Sequence, residues 1–207
     1  AGFGLCIGDG CPDEKLQLGL DAVKTIRKEK GTDPSLSSFS AAFFLKPYPQ
    51  NKLKEMASCV KDYADYIGID IDSYNIVTMR NLVNLERKTS AQLEDFRNYT
   101  QRPFVIKGVF TQDDIELVRE VKPDVVYISN HGGRIETRIG SSGDFLAKNA
   151  LELKKYCKEL WVDGGIRSKQ DVQTAIYYGA DRVILARPLI HATYDGNYES
   201  VVKTLLD

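Results

Sequence analysis

An α/β fold built on parallel strands is what this sequence predicts, and three observations predict it. Short apolar runs alternate with amphipathic runs about every 25 to 40 residues, the pattern of strand–helix units joined by crossovers. The short runs stay apolar throughout instead of alternating with polar residues, as in a sheet covered on both faces. Polar, glycine-bearing residues gather where those runs end, which is where a TIM-type (β/α)8 barrel keeps its active site. About seven such units can be traced in 207 residues, whereas a closed barrel has eight strands and typically ~250 residues. The expectation is a single (β/α) barrel domain over residues 1–207, incomplete at its N-terminus and lacking its first strand–helix unit.

The elements follow in order. Phe3 to Ile7 is a strand closed by Gly8-Asp9-Gly10-Cys11-Pro12, and Asp13 can cap the amphipathic run Glu14 to Lys28. A polar loop from Gly31 to Ser40 precedes the strand Ala41 to Leu45, which ends in Lys46-Pro47-Tyr48-Pro49. Leu53, Met56, Ala57, Val60, Tyr63 and Ala64 fall at helical spacing and predict a helix over Asn51 to Tyr66. Ile67 to Ile71 is a strand that turns at Asp72-Ser73-Tyr74-Asn75, and Val77 to Lys88 reads as irregular. A helix over Thr89 to Tyr99, capped by Thr89 or Ser90, leads to the strand Phe104 to Lys107. Thr111-Gln112-Asp113-Asp114 opens a helix to Val121. The apolar run Val125 to Ile128 then runs into Ser129-Asn130-His131-Gly132-Gly133-Arg134. A Gly/Ser-rich loop, Ile135 to Gly143, is followed by a helix from Phe145 to Lys158. Leu160 to Val162 is a strand entering Asp163-Gly164-Gly165-Ile166-Arg167, and Gln170 to Tyr178 is a helix stopped by Gly179. Arg182 to Leu185 is the last strand, followed by Ala186-Arg187-Pro188 and a helix from Tyr198 to Leu206.

Composition narrows the function classes. With 43% hydrophobic residues and a formal charge of −1, the chain can bury a core and gives no electrostatic reason to expect a nucleic-acid or membrane partner. Cysteines 6, 11, 59 and 157 are scattered and the only histidines are 131 and 191, so no metal site is expected. Reduced thiols, the lack of a run approaching the ~20 apolar residues of a membrane span and a start without a basic leader region point to the cytoplasm.

Chemistry-bearing residues cluster at strand ends. A histidine flanked by Asn and Gly-Gly is poorly placed for core packing, so His131 reads as a general base. Arg134, three residues on, can hold a carboxylate through two parallel hydrogen bonds. The glycines of Asp163-Gly164-Gly165 and the segment Ala186-Arg187-Pro188 end the last two strands, where TIM-type barrels commonly bind phosphate through backbone N–H groups and a helix start. Lys107 ends an apolar strand and either reaches solvent or, beside a flavin, stabilises negative charge at N1. Asp72 either supports protonated His131 or caps its own turn.

Ile106-Lys107-Gly108, Ser129 to Arg134, Asp163 to Arg167 and Arg187-Pro188 together resemble the FMN-dependent α-hydroxy-acid dehydrogenase/oxidase family, most strongly from Arg102 to Pro188. That family includes glycolate oxidase, lactate oxidase and the L-lactate and mandelate dehydrogenases. The resemblance implies a TIM barrel with FMN at the C-terminal ends of its strands. His131 would be the base, Asp72 its acidic partner, Arg134 the carboxylate ligand and Lys107 the contact to flavin N1/O2. Gly165 and Arg187 would hold the phosphate with Asp163 on the ribityl chain, and Ser129, Gly164, Arg167 and Ala186 would complete the cofactor contacts. Tyr48 and Arg80 would be further substrate ligands.

The chain departs from the family pattern in four places. Leu45-Lys46-Pro47-Tyr48 replaces Gln-Leu-Tyr, so the glutamine is missing and Tyr48 is displaced. Asp70-Ile71-Asp72-Ser73-Tyr74 replaces Thr-Val-Asp-Thr-Pro, which puts an aspartate where a flavin-facing threonine stands. The following arginine-rich loop is short, with Arg80 its remaining candidate. The first strand–helix unit, the helices before it and the final helix of the family are absent, so the chain reads as a piece of a longer enzyme or as one that borrows a strand from a partner, a second copy included. The expected function is oxidation of a small 2-hydroxy acid to the 2-oxo acid, with hydride passing to flavin N5. The alternative is a non-catalytic flavin- or phosphate-binding barrel fragment. An isopentenyl-diphosphate-type isomerase is disfavoured, because it has no need of the His131–Arg134 pair.

Overall fold

A computed structural model describes residues 4–10, 14–31, 33–76 and 83–206. The chain divides into two units, Ala1–Lys107 and Gly108–Asp207.

The first unit runs β1 (Gly4–Gly8), α1 (Glu14–Lys30), β2 (Ser40–Leu45), α2 (Gln50–Val60), β3 (Tyr66–Asp70), α3 (Ser90–Thr100) and β4 (Phe104–Val109), whose last two residues cross the boundary. The strands are parallel and paired in sequence order, β1 to β2, β2 to β3 and β3 to β4. Phe43, Leu45, Ile67, Ile69, Phe104 and Ile106 are fully buried on β2, β3 and β4. The helices cover them with the faces their periodicity marks. Leu53, Met56, Ala57 and Val60 are the buried stripe of α2, and Phe96 of α3 meets Phe104 at 6.0 Å between ring centroids.

The second unit runs α4 (Gln112–Val121), β5 (Val125–Ile128), α5 (Ser142–Leu153), β6 (Glu159–Val162), α6 (Lys169–Tyr177), β7 (Arg182–Val183), α7 (Arg187–Tyr194) and α8 (Tyr198–Leu206). β5 pairs with β6 and β6 with β7, again parallel. All four residues of β5 are buried, as a strand covered on both faces should be. Tyr127 and Trp161 pack at 6.1 Å across β5 and β6.

Several helix starts are fixed by side chains. Thr89 with Gln92, Thr111 with Asp114 and Ser168 with Asp171 form capping boxes at α3, α4 and α6, and the Ser141 hydroxyl accepts the Asp144 N–H at α5.

The structure corrects some expected boundaries. The helix expected to reach Tyr66 ends at Val60, and a single 3-10 turn, Lys61–Tyr63, leads into β3. The helix expected over Phe145 to Lys158 spans Ser142–Leu153, because Ser141 supplies the cap earlier. The last strand is two residues long, and the segment after it is the helix α7, which the sequence reading left unassigned. β1 is largely exposed instead of covered on both faces, with Leu5 at 36%, because its one lateral partner among the described residues is β2. Arg80, a candidate substrate ligand, lies outside the described residues.

Candidate active site

The strand ends of the first unit carry charge in pairs. Asp9 follows β1 and Lys46 follows β2. The Lys46 ammonium donates to Asp9 Oδ1 at 3.0 Å and to Asp9 O at 2.7 Å, while the Lys46 backbone N–H reaches Oδ1 at 3.1 Å. The side chains are 9% and 3% exposed. Burial pushes the Asp9 carboxyl above its ordinary 3.8, with the Lys46 ammonium and its hydrogen bonds working against that rise. Tyr48 is buried beside this pair in sequence, with its backbone N–H on Lys46 O at 2.8 Å and the Lys52 ammonium 4.5 Å from its ring centroid.

Asp70, the last residue of β3, and Lys107, near the end of β4, are register partners. Their side chains form an ion pair of 2.9 Å and are 14% and 12% exposed. Asp72 is buried at 1% and begins the short turn Ser73–Asn75, but its carboxylate does not cap that turn.

The strand ends of the second unit are built from backbone. Ser129 is fully buried and its Oγ accepts the His131 N–H at 3.3 Å. The Asn130 side chain accepts the Gly132 N–H at 3.0 Å and donates to Gly140 O at 3.0 Å, so it closes both ends of the loop after β5. These bonds hold His131 at φ +53, in the left-handed region that a histidine visits at a cost of roughly 1 kcal/mol. Arg134 is exposed, and its Nε donates to His131 O at 2.9 Å, which orients the guanidinium from within the same loop. Arg138 is buried at 9%; it pairs with Asp114 Oδ2 at 3.0 Å and donates to Gly108 O. Asp114 also accepts the N–H groups of Phe110 and Thr111, both at 2.9 Å. Residues 131–140 are thus tied down at Asn130, at buried Ile135 and at Arg138.

After β6, the Tyr127 hydroxyl donates to Asp163 Oδ2 at 2.9 Å, while Asp163 Oδ1 is buried with no partner among the described residues. Gly164 and Gly165 have φ of +94 and +77. A Cβ on Gly164 would lie 2.8 Å from Ser142 Oγ, whereas the space beside Gly165 is open. Arg167 is exposed, and its N–H donates to Asp171, whose carboxyl is held below its ordinary 3.8 by that bond first and the Ser168 hydroxyl second. After β7, Ala186 is the N-cap of α7 and supplies no side-chain cap. The exposed Arg187 lays its guanidinium against Gly132, where any Cβ would collide with it. The loops after β5 and β7 therefore meet through Gly132 and Arg187.

These groups fit a phosphate on a hydroxyl-bearing chain: an uncapped helix start, a guanidinium, the open positive-φ Gly165 and a buried carboxylate oxygen lacking a partner among the described residues. Asn130 and Arg138 were missed in the sequence. Asn before His-Gly-Gly is an Asx-turn signal that could have revealed Asn130. The partners of Arg138 lie 24 and 30 residues away and leave no local signature.

A family model described as FMN-dependent dehydrogenase matches residues 36–206. The chain belongs to that family. It is 35% identical over 113 residues to 2-hydroxyacid oxidase 2 of Bos taurus, covering 54% of this chain and 31% of that protein. It is 38% identical over 100 residues to an L-lactate dehydrogenase of Pseudomonas putida, covering 48% and 26%. The chain thus spans about a third or less of the curated relatives it matches. Among solved structures it is similar to mandelate oxidase with 3,3-difluoro-2-hydroxy-3-phenylpropionic acid, with a TM-score of 0.64 at 24% identity over 80% of this chain and 56% of that one. A mandelate oxidase variant with a monooxide FMN adduct gives 0.66 at 18% identity, over 99% and 71%. These likenesses bear out the expected fold class, a TIM-type alternation of parallel strands and helices that is incomplete beside its neighbours. No described helix is long and apolar enough to cross a membrane.

Proposed function

We propose that this chain is the (β/α) barrel part of an FMN-dependent enzyme that oxidises a small 2-hydroxy acid to the 2-oxo acid. The observation that carries this reading is the group of strand ends in the second unit. There the unpartnered Asp163 Oδ1, the open Gly165 and the uncapped start of α7 beside Arg187 suit the ribityl phosphate of FMN. Bound FMN would supply a hydride acceptor at N5 for the substrate α-hydrogen.

The chain's own residues do the rest. His131 takes the hydroxyl proton, with Asp72 as the acid assigned to it, and Arg134 holds the substrate carboxylate. Tyr48 and Arg80 keep their substrate roles as proposals. Lys107 would lend positive charge to the flavin, and Ser129, Gly164, Arg167 and Ala186 would help to hold it. The reading carries with it a cytoplasmic location, supported by the free thiols of Cys59 and Cys157.

The test is an FMN titration followed by anaerobic addition of lactate, glycolate or mandelate. Substrate-dependent bleaching is expected, and His131→Ala should slow it by about 10²–10⁴-fold with FMN affinity unchanged. Bleaching at the wild-type rate in that variant would remove His131 as the base. FMN binding with no bleaching by any hydroxy acid would instead favour a non-catalytic flavin-binding fragment. That second reading has one specific support, the Lys107 ammonium already paired with Asp70.

A further inference from the structure

Asp70, the last residue of β3, is in register with Lys107 of β4, with Nζ 2.9 Å from Oδ1 and both side chains mostly withdrawn from water. The main chain carrying the pair is fixed as well: the Ser73 hydroxyl donates to Asp70 O at 3.0 Å, and the Ile71 N–H donates to Lys107 O at 2.9 Å. Lys107 therefore cannot turn its charge elsewhere without breaking a short ion pair between adjacent strands.

From this geometry we infer that Asp70 is a positioning residue that neutralises the Lys107 ammonium and so lowers both the affinity for a flavin and its midpoint potential. The inference rests on the flavin reading above. Reduction adds negative charge on the N1 side of a flavin, and a cation there favours the reduced state. A carboxylate about 3 Å from that cation cancels most of its field at short range, and a site largely shielded from water does little to screen the loss. The same carboxylate also repels the electron-rich side of the bound flavin. The Asp9–Lys46 pair shows the same device in a more closed form, with side chains 3% and 9% exposed. Asp70–Lys107 is the more open of the two.

Asp70→Asn keeps the shape and a hydrogen-bond acceptor while removing the charge. Wild type, Asp70→Asn and Asp70→Thr would be titrated with FMN by fluorescence quenching, and their midpoint potentials measured by equilibration with redox dyes. Both variants should bind FMN about tenfold more tightly and shift the potential in the positive direction, while Lys107→Met should weaken binding. Unchanged affinity and potential in both folded Asp70 variants would overturn the role of Asp70 and leave the flavin reading standing. Absence of FMN binding from wild type and both variants would overturn the two together. Circular dichroism identifies a variant that fails to fold, in which case the other carries the test.

Discussion

The strand ends of the two units are built on opposite plans. In the first, two pairs of charged side chains meet near the strand ends, Asp9 with Lys46 and Asp70 with Lys107. In the second, the strand ends are mostly backbone, with glycines at positive φ, an uncapped helix start and a carboxylate oxygen without a partner. Internal ion pairs satisfy themselves and hold neighbouring strands in place. Open backbone N–H groups and unpaired acceptors are instead satisfied by something brought from outside. The difference teaches that the second unit offers a ligand open backbone and an acceptor, while the first offers charge tempered by ion pairing at Lys46 and Lys107.

The comparison breaks most sharply at Lys46. Lys46→Met leaves the Asp9 carboxylate buried without its cation, and about 3–5 kcal/mol of stability should be lost, read as a lower denaturation midpoint. Because the folded Asp9 carboxyl lies above its ordinary 3.8, its contribution is full below that value and is lost as pH rises through the folded pKa. The variant should therefore regain stability on acidification more steeply than wild type. A midpoint equal to wild type at neutral pH would mean that the pair holds nothing.

A somewhat smaller effect is expected in the second unit. Arg138→Met removes the side chain that ties residues 131–140 to Asp114 and Gly108, at a cost of about 3 kcal/mol. With only two histidines in the chain, the His131 imidazole resonance can be followed directly. It should shift and broaden in Arg138→Met while that of His191 stays put, and Arg138→Lys should restore part of it. An unmoved His131 signal would separate the tether from the candidate base.

The smallest effect tests the open carboxylate. Tyr127→Phe deletes the donor to Asp163 Oδ2, which should cost about 1 kcal/mol and weaken FMN binding a few-fold through a less ordered Asp163. Unchanged FMN affinity would place Asp163 outside the cofactor site.

Much of this was legible in the residues. The apolar runs of β2 to β6, the capping residues Thr89 and Thr111, and the glycine-bearing strand ends all act through near neighbours, so sequence carries them. The short β7 and the exposed β1 were misjudged because strand length and cover depend on lateral partners, which composition does not specify. His131, Arg134, Gly165 and Arg187 were singled out by type and spacing alone, while Asn130 and Arg138, which hold the His131 loop, were not.

The sequence by itself determined the alternation of strands and helices, the caps of α3 and α4 and the family to which the chain belongs, since periodicity, caps and motifs are local properties. Only the tertiary structure decided that Lys107 is spoken for by Asp70, that Asp9 is buried under Lys46 and that Arg187 lies on Gly132. Each joins residues between 37 and 55 positions apart, and only the pairing of strands and the meeting of loops brings such residues within reach of one another.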